Sequence, residues 1–259
     1  MTAFLWLLAL ILAVPHSARL STWTVAAVDP ATGDVGVAGA SCVPGMHIDA
    51  VAALVPGKGV AAVQAFWDLE NRNKVYELLR AGIPADEILR RVTDRTFDRG
   101  IEDRQYGVIT IGNGPAKVAA FTGKETMAWA GSQHDSALSV TVQGNILVGP
   151  EVVANALQSF KSERVLSDRL MRALEAGSAA GGDLRCNNNR VRQTASTAFI
   201  LVARSGDPPY AAKDLGITDQ GTSRAPWLAI SVREPAFGRN PVVELRKRYD
   251  EWRRKVVLR

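Results

Sequence analysis

The dipeptide Ser21-Thr22 follows an apolar leader, and a hydroxyl residue in that place has an unusual chemical option. Once a chain is cut immediately before a serine or threonine, the new α-amine has a reference pKa of about 7.7 to 8.0. It can then accept the proton of its own side-chain hydroxyl at neutral pH, so that one residue supplies both nucleophile and base for acyl transfer. Better-known constellations are poorly provided for. Of the three histidines, His16, His47 and His134, the first lies in the leader, so no HExxH or other zinc-ligand spacing can be written. A Ser-His-Asp triad lacks its GxSxG elbow. The glycines of "GGDLRC" and "GNGPAKV" lack the lysine and hydroxyl of a phosphate loop and read as turns. No metal or cofactor is called for. Thr22 also reads as an ordinary strand start, which a β-branched residue favours, and both readings stay open on these residues alone.

A terminal nucleophile must stand at the head of an inner strand, and the pattern around Thr22 supplies strands. "STWTVAAVD" and "DVGVAGAS" form a hairpin about Pro30-Ala31-Thr32-Gly33, and "IDAVAALV" with "GVAAVQAF" a second about Pro56-Gly57-Lys58-Gly59. "NKVYELLRAG" and "IPADEILRRVTD" carry apolar residues at helical spacing, with Gly82 closing the first helix and Pro84 opening the second. Strands return in "QYGVITIGN", "PAKVAAFTG" and "LSVTVQGNIL", then helices in "EVVANALQSF" and "LSDRLMRALEAG". After "SAAGGDLRCNNN" come late strands, "TASTAFILVAR" and "WLAISV", and a closing helix, "PVVELRKRYDEWRRKV". Hairpins separated by helical pairs predict an α+β fold with antiparallel sheets covered by helices, because parallel strands would need one crossover each.

The 259 residues are 47% hydrophobic and 22% charged, which suits one globular domain and excludes a disordered or repeat chain. Ala3 to Val14 is an apolar run of about a dozen residues, the length of a signal-peptide core and short of the roughly twenty a membrane helix needs. Residues 1–20 are therefore expected to be a leader, residues 21–259 the domain, and the destination secreted or periplasmic; a retained anchor is the alternative. Two cysteines in an exported chain predict one disulfide, Cys42 to Cys186, against the alternative of two buried thiols. The net charge of +5 is concentrated in residues 244–259, which carry seven basic and three acidic side chains and leave the body nearly neutral. Nucleic acid is not an expected partner. The basic terminal helix reads as a solvated face or as a weak contact with an anionic envelope surface, and homo-oligomer formation is left open.

Eight segments in order, among them "STWTVAAVDPATGDVGVAGAS", "VPGKGVAAVQA", "RQYGVITIG", "WAG", "VQGNILVGPEVV", "RLMRALEAGSAAGGD" and "QTASTAFILV", resemble the bacterial and archaeal family known as domain of unknown function 1028. The resemblance covers nearly all of the chain after residue 20. It implies a four-layer αββα sandwich of the N-terminal-nucleophile hydrolase type but no substrate; the terminal-nucleophile chemistry leads to the expectation of an amide, a small molecule or a peptide, with the envelope hinted at by relatives that carry a peptidoglycan-binding module. The family's opening threonine falls on Thr22, with Ser21 the neighbour that would serve if processing stopped one residue earlier. Its "QGN" falls on Gln143, Gly144 and Asn145, and its "GGD" on Gly181, Gly182 and Asp183. On that basis Asn145 is expected to offer its amide to an oxyanion, and Asp183 or Arg104 to orient the polar end of a substrate. Ser41 and Gln64, near strand ends, are expected to line the same pocket with Gln143. Each has a plainer alternative: Asn145 as a turn or cap residue, Asp183 paired with Arg185, Arg104-Gln105 as an exposed strand start, Trp129 as packing. Cleavage after Ala18 would leave three residues ahead of Thr22, so a further trimming or self-cleavage has to follow before its amine is free.

Overall fold

The computed structural model describes residues 17–20, 22–188, 191–211, 226–233 and 238–257. Residues 1–16, which hold most of the expected leader, and the candidate Ser21 lie outside the described residues. In chain order the elements begin with β1 (Ser17–Leu20), β2 (Thr22–Asp29), β3 (Asp34–Ser41), β4 (Ala52–Val55) and β5 (Gly59–Asp68). Helices α1 (Leu69–Arg80) and α2 (Ala85–Val92) follow, then β6 (Arg104–Thr110), β7 (Lys117–Thr122), β8 (Gly131–Asp135) and β9 (Val140–Gly144). The remainder is α3 (Glu151–Phe160), α4 (Leu166–Ala179), β10 (Asn187–Asn188), β11 (Val191–Arg192), β12 (Thr197–Ala203), β13 (Tyr210–Ala211), β14 (Leu228–Val232) and α5 (Pro241–Val257).

The strands build two large sheets, antiparallel throughout. One has the order β13-β4-β5-β6-β7 with β1 alongside β5; the other has the order β14-β12-β3-β2-β9-β8. Side-chain alternation, period two along a strand, then divides the apolar residues among three cores. Trp23, Val25 and Ala27 of β2 join residues of α3, α4 and α5 such as Val152, Leu174 and Leu245. Ala26 and Val28, from the other face of β2, meet Val60 and Ala62 of β5 between the sheets. Ala61 and Val63 of β5 pack with Val75, Leu79 and Ile88 of α1 and α2. Both sheets are thus buried on both faces, which is why their central strands read as almost unbroken apolar runs.

Three local features depart from the sequence expectation. "IDAVAALV" is half strand: Ile48–Val51 turns as a short 3₁₀ segment before β4 begins. Gly131–Asp135, polar and half exposed, is an edge strand that alternation does not reveal. The third is β1, which takes the tail of the expected leader into the first sheet, pairing Ser17 with Asp68 and Leu20 with Ala65. The five helices of the described residues fall where expected, α1 starting at Leu69, four residues ahead of the predicted segment. Asp68 Oδ1 opens α1 by accepting the main-chain N–H groups of Glu70 (2.8 Å) and Asn71 (3.4 Å). On α5, Val242, Leu245 and Tyr249 are buried, while Arg246, Arg248 and Arg253 pair with Glu175, Glu244 and Asp168. Among the described residues, no helix is long and apolar enough to cross a membrane.

Cys42 and Cys186 are joined as a disulfide with a Cα–Cα distance of 5.7 Å and a sequence separation of 144. Closing so long a loop restricts the unfolded chain. The double variant Cys42→Ser, Cys186→Ser is therefore expected to lose about 3 kcal/mol, read as a lower urea midpoint; an unchanged midpoint would mean the closure contributes nothing.

Candidate functional site

At one end of the space between the sheets the apolar filling gives way to polar side chains. On β2, Thr22 and Thr24 share the face of Ala26 and Val28 and so point toward the opposite sheet. On β9, Gln143 sits on the face opposite Val142, directly across from Thr24 in the pairing register. On the facing sheet, Gln64 of β5 follows Val60 and Ala62 inward, and Gln105 of β6 is its registered neighbour. Two cross-strand polar pairs therefore confront one another, and all four residues, with Thr22, have no solvent exposure.

Buried polar groups are costly unless paired, and here they form a connected chain. Thr141 Oγ1 donates to Gln143 Oε1 (3.0 Å), and Gln143 Nε2 donates to Thr24 Oγ1. Thr24 Oγ1 in turn donates to Gln64 Oε1 at 2.6 Å. Gln64 Nε2 reaches both Thr22 O (2.9 Å) and Gln105 Oε1 (2.8 Å). Gln105 Nε2 ends the run on Gly144 O (2.9 Å), Thr122 Oγ1 (2.9 Å) and Gly131 O (3.2 Å). Gly107 leaves room for this arrangement, since a Cβ there would stand 2.2 Å from Gln143 Oε1.

Thr22 is the first residue of an inner strand, with β3 on one side and β9 on the other. It faces Ser41 in register. Its carbonyl accepts Gln64 Nε2 and also the main-chain N–H of Asn145 at 3.3 Å. The Asn145 side chain donates to Gln105 Oε1 at 3.2 Å. Beside it lies a shallow cleft of about 20 Å³, lined by Ala65, Phe66, Asn145 and Ile146 with Asp103 and Glu125. That is room for little more than a water molecule. Two cleft residues hold left-handed backbone although neither is glycine: Ala65 at φ 75° and Ile146 at φ 51°. For a β-branched residue such a conformation is an outlier, and strain of this kind collects where geometry serves a site. At Ala65 it also shifts the phase of β5, so that Gln64 and Trp67, three residues apart, both serve the space between the sheets.

The structure therefore brings Thr22, Ser41, Gln64, Gln143 and Asn145 to one end of the sandwich. Arg104 and Asp183 stand apart from the inter-sheet space. Arg104, next to inward-facing Gln105, points to the other face, where its Nε meets Asp98 Oδ2 at 2.7 Å and Nη1 reaches Phe66 O. Burial alone would raise the Asp98 carboxyl, but hydrogen bonds from Arg104, Asn71 and the Gly100 N–H outweigh it and hold the group below its usual range. The same pairing keeps Arg104 more firmly protonated despite burial. Asp183 is wholly buried and binds Arg185 (Nη2–Oδ2 2.7 Å) and the N–H of Cys42 (3.0 Å). It thereby ties the disulfide loop to the end of β3, one residue beyond Ser41. Gly181 and Gly182, at φ 115° and 62°, make the turn that delivers it. Trp129 packs against the helix-side core of the second sheet. Gln105, the hub of the network, and Thr24 and Thr141 were not expected at the site; the available signal is an uncharged polar residue in the inward phase of an otherwise apolar strand. Among the described residues, no group of three or more His, Cys, Asp or Glu side chains is placed to hold a metal ion.

No curated protein matches the chain. Among solved structures it is similar to protein SPO2555 from Silicibacter pomeroyi, a crystal structure assigned to DUF1028. The identity is 22% over 89% of this chain and 88% of that one, with a TM-score of 0.67, a likeness of fold. The family model for DUF1028, a family of unknown function, matches residues 22–226 and so begins on Thr22 itself. The chain belongs to the DUF1028 family.

Proposed function

We propose that this protein is an exported amide hydrolase of the N-terminal-nucleophile type, built on that class's αββα sandwich, with Thr22 as nucleophile once the residues before it are removed. The observation that carries the reading is the position of Thr22: first in an inner strand, side chain toward the inter-sheet space, carbonyl fixed by Gln64 and Asn145. With its amine free, Thr22 Oγ1 gives its proton to that amine and attacks an amide carbonyl. The C–N bond breaks as the amine returns the proton to the leaving nitrogen, and water then hydrolyses the ester on Thr22. Asn145, held by Gln105 at the cleft, is positioned to donate to the oxyanion. The disulfide between Cys42 and Cys186 suits an oxidising compartment.

A second reading, a catalytically inert envelope or ligand-binding protein on the same scaffold, is favoured by a different observation. With β1 in place, Thr22 has no exposure and the cleft beside Asn145 has room for little more than a water molecule. The first residue of the mature protein separates the two. Intact-mass measurement of protein recovered from its native compartment is expected to give a chain starting at Thr22, or at Ser21 with the neighbouring hydroxyl in the role. A start at Arg19 with no further trimming would favour the binder.

A further inference from the structure

The edge of β5 is shared between two strands. β6 pairs with one side from Gly59 to Ala65. On the other side β4 covers only Gly59 to Ala62, and β1 covers Ala65 to Asp68. Ala65 is paired with both β6 and β1, which places β1 on the same side as β4. β1 runs toward the site: its register descends from Ser17 opposite Asp68 to Leu20 opposite Ala65, and Ala65 and Phe66 line the cleft that holds Asn145. The segment ahead of Thr22 thus lies on this edge with its carboxyl end at the cleft, which is how the acyl side of an amide substrate would have to approach Thr22.

We infer that the Ala65–Asp68 edge of β5 is the recognition site for the acyl side of the substrate, and that the substrate is an extended oligopeptide added to the sheet as an antiparallel strand. This rests on the reading of Thr22 as the nucleophile and gives it a substrate class. β1 occupies the edge through main-chain pairing, so once β1 leaves, the main-chain groups it had paired become available to another strand of suitable length. Recognition of this kind selects for extended backbone over about four residues and tolerates varied side chains. Small amides and lactams lack that backbone and would gain nothing from the edge. The left-handed turn at Ala65 separates this edge from the part that β4 covers, so an added strand starts afresh at the cleft.

The test uses fluorescein-labelled Ser-Ala-Arg-Leu, the order of β1, its alternately N-methylated form and a scrambled tetrapeptide. They are titrated against the full chain and against the full chain carrying Arg19→Pro and Leu20→Pro, adjacent prolines that leave β1 unable to complete its pairing. The doubly substituted chain is expected to bind the peptide at least about tenfold more tightly than the unsubstituted one, with the scrambled peptide within about threefold and the N-methylated one at least about tenfold weaker. Hydrogen exchange at those amides between Ala65 and Asp68 that face β1, every second one in an antiparallel pair, should rise in the substituted chain and fall again with peptide. No binding, or equal binding of the N-methylated peptide, would overturn the assignment. Should the substituted chain not fold, the same titration on processed protein that starts at Thr22 decides. Peptide binding without any hydrolysis in that processed protein would count against Thr22 chemistry and keep the edge; hydrolysis of small amides as fast as of peptides would do the reverse.

Discussion

Thr22→Ala in the processed protein is expected to reduce turnover of a responsive amide by at least about 10⁴-fold, the scale seen when a nucleophile is deleted, while the fold persists. The structural part of that expectation follows from how Thr22 is held. Its bonds to Gln64 Nε2 and the Asn145 N–H run through its carbonyl, and alanine keeps that carbonyl. What is lost is a hydroxyl and a methyl group at a buried strand end, a change worth about 1 kcal/mol, or about 2 to 4 °C in Tm for a domain of this size. Thr22→Ser keeps the hydroxyl and should recover much of the turnover. Undiminished activity in the alanine variant would remove Thr22 from the chemistry, whatever the mature terminus proves to be.

The largest expected loss of stability comes from Gln105→Ala. The side chain is fully buried, accepts from Gln64 and Asn145, and donates to the carbonyls of Gly144 and Gly131 and to Thr122. Truncation leaves several of these groups without a partner in a space water cannot readily fill, at about 1 to 3 kcal/mol for each one left unpaired. A total near 4 kcal/mol is expected once partial relaxation is allowed for, measured by urea unfolding. Thr122→Val removes one partner at the half-exposed rim and should cost less than about 1 kcal/mol. If the two variants cost the same, the network does not act as a connected unit.

Much of this frame could be read from residue order. The hairpin of β2 and β3, the span of α3 and the pairing of the helices carry their signals locally, in turn residues and in apolar spacing. The two cysteines admitted a single intramolecular pairing. What stayed hidden depends on contacts far apart in sequence. Gln105, beside a charged arginine at a strand start, reads as surface, and only the facing sheet turns it into a hub. Ala65 carries no residue preference that would announce its left-handed backbone, yet the phase of β5 depends on it. β1 follows directly on a leader-like run, and nothing in its four residues reveals that they pair with β5. Of the candidate site, Thr22 was singled out by its chemistry behind the leader and again by the family resemblance, Asn145 and Gln143 by the resemblance, and Ser41 and Gln64 by their places near strand ends; their shared face became visible only in the register of the strands.

Leu20 belongs to one sheet and Thr22 to the other, so the chain passes between layers with a single residue to spare. Two residues of chain reach at most about 7 Å, whereas sheets packed face to face stand about 10 Å apart. Leu20 and Thr22, in different sheets, therefore stand closer to one another than that general spacing. Cutting the chain ahead of Thr22, as the proposed function requires, would release that restraint and is expected to change the opening beside Thr22 along with the identity of the first residue.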